Sequence, residues 1–196
     1  MKRIFTLLVI LSVFAGSVFA QEDDGPDIYE DDFEYLQNGP GDQFLKIELG
    51  AIFPLNFDGK LYPGVQATLG YYRFLTTWLA VGGELSVSSQ FSIGNKALCM
   101  VPITFGAMFQ PTYKKFEFPI FVTAGIADHT WANSTYFPAF TLKTEAGAFY
   151  RFTEAWSFGL LSYFMWSVEK PWTDENKGKD YHGLFQTASL AVRYHF

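Results

Sequence analysis

A single cysteine, Cys99, leaves this 196-residue chain no intramolecular disulfide, and it reads as a small strand residue. After residue 20 no apolar run is long enough for a helical span, so a membrane protein built from this chain has to cross with strands. Charge is scarce as well, at 17% of residues. Of 14 basic and 20 acidic residues, Lys2 and Arg3 lie in the leader and nine acids lie in residues 21–42, which leaves 12 and 11. A body so close to neutrality gives no electrostatic support for nucleic-acid binding. There is no phosphate-binding glycine loop and no metal-ligand spacing, so no cofactor and no metal are expected. What the chain has in excess is aromatic residues, 19% of the total with 22 Phe.

The beginning reads as a secretory signal peptide. Lys2 and Arg3 precede an apolar run from Ile4 to Phe14, and Val18-Phe19-Ala20 supplies the cleavage pattern, with the cut expected after Ala20. Residues 21–42 follow with Glu22, Asp23, Asp24, Asp27, Glu30, Asp31, Asp32, Glu34 and Asp42 and no base. A block of this composition is expected to stay solvated, as a disordered periplasmic tail.

From Gln43 onward the chain alternates with period two, as strands do. Eight segments are predicted: Phe44 to Phe53, Gly64 to Phe74, Trp78 to Ser88, Leu98 to Phe109, Phe116 to Ala127, Ala139 to Phe152, Trp156 to Val168, and Leu184 to Phe196. Asp128 to Pro138 and Glu169 to Gly183 read as loops. The seventh segment is the least clean, and Phe158, Leu160, Phe164 and Trp166 are taken as its apolar face. Pro102 and Pro119 stand near the start of their segments, where a sheet best tolerates a missing donor.

One face carries Gly50, Gly70, Gly82, Gly106, Gly125 and Gly147 with Ser, Thr and a few ions; the other carries Leu, Val, Ile and Phe. A soluble barrel would need long charged side chains on its outside, and this chain lacks them. In a narrow barrel small residues fit inward, so the apolar face is the one that meets lipid. Segment ends agree. With the N-terminus periplasmic, the periplasmic ends carry an aromatic girdle that includes Phe44, Phe74, Trp78, Phe109, Phe116, Phe118, Tyr150, Phe152 and Trp156. Turns at that end are expected to be short and those at the other end longer. The final strand places Leu190, Val192, Tyr194 and Phe196 on one face.

Eight alternating segments and a terminal aromatic strand make residues 43–196 resemble the small eight-stranded bacterial outer-membrane β-barrels, the class of OmpX, OmpW and the OmpA membrane domain. The resemblance implies an all-β, antiparallel up-and-down transmembrane barrel in the outer membrane. It also implies that Leu190, Val192, Tyr194 and Phe196 form the signal read by the barrel-assembly machinery, after periplasmic chaperones have delivered the chain. OmpX-type members look like structural or surface-adhesion proteins, which implies a host or extracellular ligand at the loops. OmpW-type members are associated with passage of small hydrophobic molecules. Outer-membrane lipid is the expected surroundings, and a monomer the expected state.

Seven ions fall on the inward face: Lys46, Glu48, Glu84, Lys143, Glu145, Arg151 and Arg193. An ion in a tight lumen has to pair, because desolvation otherwise costs several kcal/mol. Such a set is either a selectivity filter or gate, or a salt-bridge network that plugs the barrel, and the plug is expected. Glu48 and Arg193 are predicted to pair across the closing seam, with Lys46 or Glu84 as substitutes for either partner. The candidate catalytic sets are Asp128 and His129 with Ser134, and Asp180 with His182. Neither forms a recognisable motif, and no enzyme is expected.

Overall fold

The computed structural model describes residues 37–57, 60–132, 134–169 and 181–196. The expected signal peptide, most of the acidic tail, the turn positions 58–59 and 133, and the loop residues 170–180 lie outside the described residues. Within them the chain forms eight antiparallel barrel strands. These are β1 (Gln43–Pro54), β2 (Gly64–Phe74), β3 (Leu79–Phe91), β4 (Ala97–Phe109), β5 (Ile120–Trp131), β6 (Ser134–Arg151), β7 (Trp156–Glu169) and β8 (Tyr181–His195). Each pairs with the next, and β8 closes on β1.

The closure fixes the geometry. Following paired residues once round the wall leads from Phe44 through Tyr72, Gly82, Gly106, Thr123, Lys143, Met165 and Phe185 to Pro54. The walk returns to β1 ten residues above its start. A stagger of that size in eight strands goes with a tilt of roughly 35–45° and an interior that side chains fill.

Proline explains the interruptions. β4 and β5 continue below Phe109 and Ile120 as the pieces Thr112–Tyr113 and Phe116–Glu117, in the same register as the main ladder. Pro111 and Pro119 fall in the gap, where a donor is missing. Phe118 N–H still donates to the Pro111 carbonyl at 2.9 Å. The whole is one long hairpin turning at Lys114–Lys115, with Lys114 at φ 54°. Pro102 is not near a strand start as expected. It lies well inside β4, where the β3–β4 ladder skips the two pairs between Leu85–Ile103 and Ser88–Met100, and opposite a bulge at Ala127/His129.

Two stretches differ most from the sequence reading. Asp128 to Pro138 is not a loop: β5 runs through it to Trp131, and β6 begins at Ser134. Turns at the end where β1 finishes and β2 begins are therefore not uniformly the longer ones. The last residues of the acidic segment are tied to the barrel rather than free in solvent along their whole length. Asn38 is buried, Gly41 N–H donates to the Phe74 carbonyl at 2.8 Å, and Phe74 N–H donates to the Asp42 carbonyl at 2.8 Å.

The lumen is the candidate functional site

Alternation sends one set of side chains out and the other in. Outward residues such as Ile47, Val65, Phe105 and Leu160 are exposed, at 57%, 68%, 68% and 62%, while Lys46, Glu48, Thr141 and Arg193 are closed off entirely. The barrel is thus inverted relative to a soluble protein: apolar outside, polar and ionic inside. Where water surrounds a protein this arrangement is unfavourable by on the order of 25 cal/mol per Å2 of exposed apolar area, and in lipid the penalty vanishes. Aromatic rings mark both edges of the apolar belt. Trp78, Phe109, Phe116, Phe118, Tyr150, Phe152, Trp156, Tyr194 and Phe196 are exposed at the end where β1 begins and β8 finishes, called the lower end below. Trp78 meets Phe109 edge-on, and Trp156 lies 4.9 Å from Tyr194 between ring centroids. Phe53, Tyr62, Phe91, Tyr136, Phe137 and Trp166 are exposed toward the upper end.

Two expected girdle residues belong elsewhere. Phe74 and Phe44 are buried, at 1% and 0% exposure, and lie in the lumen. The reason is parity. Phe74 is an even number of residues from Tyr72 and Thr68, and Phe44 from Lys46, so both follow the inward set. Phe44 stacks on Tyr72 at 5.4 Å, and Tyr72 meets Phe121 edge-on at 5.0 Å. The inward face is thus richer in large apolar groups than the glycine pattern implied. The glycines make room for them: a Cβ on Gly82 would fall 2.6 Å from a carbon of the Tyr72 ring.

The lumen is packed in layers. A lower apolar layer holds Phe44, Tyr72, Phe74, Met108, Phe121 and Phe149. An upper one holds Ile52, Leu98, Met100, Tyr163, Met165 and Phe185. Five ions are clustered in the middle of the lumen. Lys46 contacts Glu145, Glu84 at 2.6 Å and Glu48 at 3.5 Å. Lys143 contacts Glu84 at 2.6 Å and Glu145 at 2.9 Å. Tyr72 donates to Glu84 Oε1 at 3.0 Å, and Gln66 donates to Glu48 Oε1 at 2.7 Å. The missing side chain of Gly70 matters here, since a Cβ there would come within 3.3 Å of Lys46 Cε and 3.4 Å of Glu84 Cγ. Both ammonium groups also rest on aromatic faces, Lys46 at 4.5 Å from the Phe121 centroid and Lys143 at 4.1 Å from that of Tyr163.

The remaining predicted ions, Arg151 and Arg193, form a second group toward the lower mouth. Glu117 sits between them with one oxygen toward each, both at 3.4 Å. Arg193 Nη1 donates to Gln110 at 2.8 Å, and Arg151 Nη1 donates to Asn38 at 2.7 Å. Sequence reasoning missed Glu117, although its signal was there. Glu117 shares parity with Thr123 and Gly125 on the inward face of the fifth segment. With it the lumen holds, among the described residues, four cations and four carboxylates.

The predicted Glu48–Arg193 pair does not form. Arg193 pairs in register with Lys46, Glu48 with Ala191, and the ten-residue stagger carries the Arg193 side chain down to Glu117 instead. Its guanidinium lies on the Phe149 ring at 3.6 Å. Glu48 turns to Lys46 and Gln66. Of the named substitutes, Lys46 does meet Glu48 and Glu84, within the middle group.

His129 and Ser134, two of the catalytic candidates, lie in different surroundings. His129 lies inside the wall with Nε2 3.1 Å from Ser167 Oγ, and Ser134 is exposed at the upper turn. His182 is exposed with its carbonyl bound by Asn56 at 3.0 Å, and Asp180 lies outside the described residues. Among the described residues no group of three or more His, Cys, Asp or Glu is set to hold a metal ion.

Closed eight-strand topology, ten-residue stagger and apolar belt define a small eight-stranded transmembrane β-barrel. The solved structures similar to this chain are of that class. Neisserial surface protein A matches with a TM-score of 0.62 at 10% identity, over 80% of this chain and 99% of that one. OprG of Pseudomonas aeruginosa matches at 0.52 and 11%, over 83% and 99%. Ail of Yersinia pestis, in complex with the heparin analogue sucrose octasulfate, matches at 0.50 and 11%, over 80% and 99%. A protein-family model matches residues 21–194, and the chain belongs to that family. Two uncharacterized proteins of Treponema pallidum (strain Nichols) are similar in sequence. One is 26% identical over 147 residues, 69% of this chain and 50% of the relative, so the match spans half of that relative's length. The other is 27% identical over 176 residues, 80% and 78% of the two chains.

Proposed function

We propose that the protein resides in the bacterial outer membrane, is not a catalyst, and acts as a structural or surface-interaction protein through its external loops, its lumen serving as a plug. The observation that carries this reading is the layered interior. Two apolar layers flank an ion cluster whose members are buried, which favours a closed lumen over an aqueous path. Stiffness of the wall is then the product of the interior, and any ligand has to meet the loops. In this reading lipid surrounds a monomer, and the strand ending in Leu190, Val192, Tyr194 and Phe196 guides assembly by the barrel machinery. The experiment is single-channel recording of the refolded protein in planar bilayers. No conductance steps are expected, and reproducible ohmic steps would overturn the plug.

A second reading, passive uptake of small hydrophobic molecules through the wall, is favoured by one feature. The β7–β8 ladder skips two pairs between Gln186–Phe164 and Ser189–Leu161. Side chains replace the rungs: Ser162 Oγ donates to the Thr187 carbonyl at 2.6 Å, and Tyr163 N–H donates to Thr187 Oγ1 at 3.0 Å. Entry of an apolar dye into proteoliposomes without conductance would favour this route over the plug alone.

A further inference from the structure

At one corner of the upper rim the wall continues above its strands. The chain between β1 and β2 lies antiparallel on the top of β3. Tyr62 N–H donates to the Phe91 carbonyl at 2.8 Å, Leu61 bridges to Ser92, and Ile93 N–H donates to the Lys60 carbonyl at 3.2 Å. On its other side Ser92 meets the chain that enters β4. Ser92 N–H donates to the Lys96 carbonyl at 2.9 Å, and Ser92 Oγ accepts from Lys96 N–H at 3.2 Å. Lys60 and Lys96 thus flank Ser92 and Ile93, about two strand spacings or ~10 Å apart between backbones. Two lysine side chains so placed can reach one group from either side. Alternation sorts this corner as it sorts the wall. Leu61 and Ser92 are buried, while Lys60, Tyr62, Phe91 and Ile93 are exposed on the outer face, as is Lys96 at the β3–β4 turn. The outer face therefore changes character along the barrel axis. Val65 and Val87 belong to the aliphatic belt, Tyr62 opposite Phe91 makes an aromatic row above it, and Lys60 opposite Ile93 comes next. Among the described residues, neither lysine has a carboxylate within ion-pair distance.

We propose that this corner binds the phosphate head of an anionic membrane lipid, with an acyl chain lying on Tyr62 and Phe91 and the phosphate between Lys60 and Lys96. The inference rests on the membrane reading above and names a partner for the rim of the barrel. A lysine ammonium is a compact charge with three donors, which suits the oxygens of a phosphate. A soluble anion would meet the lysines and leave the aromatic row unused. A lipid without net charge would cover the row and leave the lysines without a counter-charge. One anionic amphiphile meets both demands at the level where the aromatic residues mark the edge of the apolar belt.

The test refolds the full chain into phosphatidylcholine vesicles that contain a minor share of phosphatidic acid. Lipids kept on the barrel after mild detergent release are counted by native mass spectrometry. Insertion is read separately from heat-modifiable mobility on gels, so that failure of the membrane reading and failure of the lipid site are distinguishable. Phosphatidic acid is expected to be retained in preference to phosphatidylcholine. That preference should fall about five-fold in Lys60→Gln or Lys96→Gln and about thirty-fold in the double variant, with insertion unchanged. Both side chains are exposed and it is their backbones that hold the turns, so the variants keep the fold. Tyr62→Ser is expected to weaken retention as well, and full retention in that variant would overturn the role of the aromatic row. Equal retention of the two lipids by the unaltered chain, or a preference that survives the double variant, overturns the site. So does a preference lost in Lys114→Gln alone, which would put the anionic lipid at the lower end.

Discussion

The two ion groups of the lumen solve the same problem differently. In the middle cluster, two lysines and three glutamates are interlocked so that Glu84 and Glu145 each meet both ammonium groups, with three of those contacts at 2.6–2.9 Å. Point-like ammonium groups on flexible stems can turn three donors toward several carboxylates at once. At the lower mouth, two planar guanidiniums share Glu117 at 3.4 Å each and lean on Phe149, Gln110 and Asn38. The first group is satisfied by charge, the second partly by ring faces and amides. One lumen can therefore hold one layer by short lysine–carboxylate contacts and another by guanidinium contacts that include ring faces and amides.

That contrast can be broken by substitution. The largest effect is expected for Glu84→Gln, which leaves Lys46 and Lys143 each short of a carboxylate in a site closed to water. Removing one partner of a buried pair typically costs about 3–5 kcal/mol. Urea unfolding of the barrel in lipid vesicles measures it, and a loss below 1 kcal/mol would mean that water or a neighbour compensates. Glu117→Gln is expected to cost less, about 1–3 kcal/mol, since its two contacts are long and an amide oxygen still accepts from either guanidinium. A cost for Glu117→Gln equal to that for Glu84→Gln would erase the distinction between the layers. The smallest effect is a coupling. In a double-mutant cycle of Glu48→Gln and Arg193→Gln the two losses should add to within about 0.5 kcal/mol, because the side chains share no contact. Clear non-additivity there would restore the seam pair that the register rules out.

Much of the lumen was legible. The parity that sorted Lys46, Glu48, Glu84, Lys143, Glu145, Arg151 and Arg193 inward is a local property, because successive Cβ atoms of a strand alternate sides whatever the strand pairs with. The same rule, applied to Glu117, Phe44 and Phe74, places them inside too. Aromatic character points Phe44 and Phe74 toward the lipid interface and closeness to a turn obscures Glu117, but parity outranks both. Asn38 was not legible. Nothing in Asn38-Gly39-Pro40-Gly41 says that its amide reaches Arg151, 113 positions along the chain. Nor did the stretch Asp128 to Pro138 advertise a strand, since its polar residues and proline read as a loop until two long strands were seen to pair across it.

By itself the sequence determined that there are eight strands, which side of each is apolar, and that the apolar side must face lipid. Those facts follow from side-chain period and from transfer energetics, which act residue by residue. Which inward charge meets which was decided only by closure. The ten-residue stagger between the first strand's start and its return slides one wall against the other, and with it every lumen side chain along the axis. A single pairing such as Arg193 with Glu117 depends on strand tilt, on prolines that mark gaps without shifting the register, and on all eight ladders at once. No local stretch of chain contains that information.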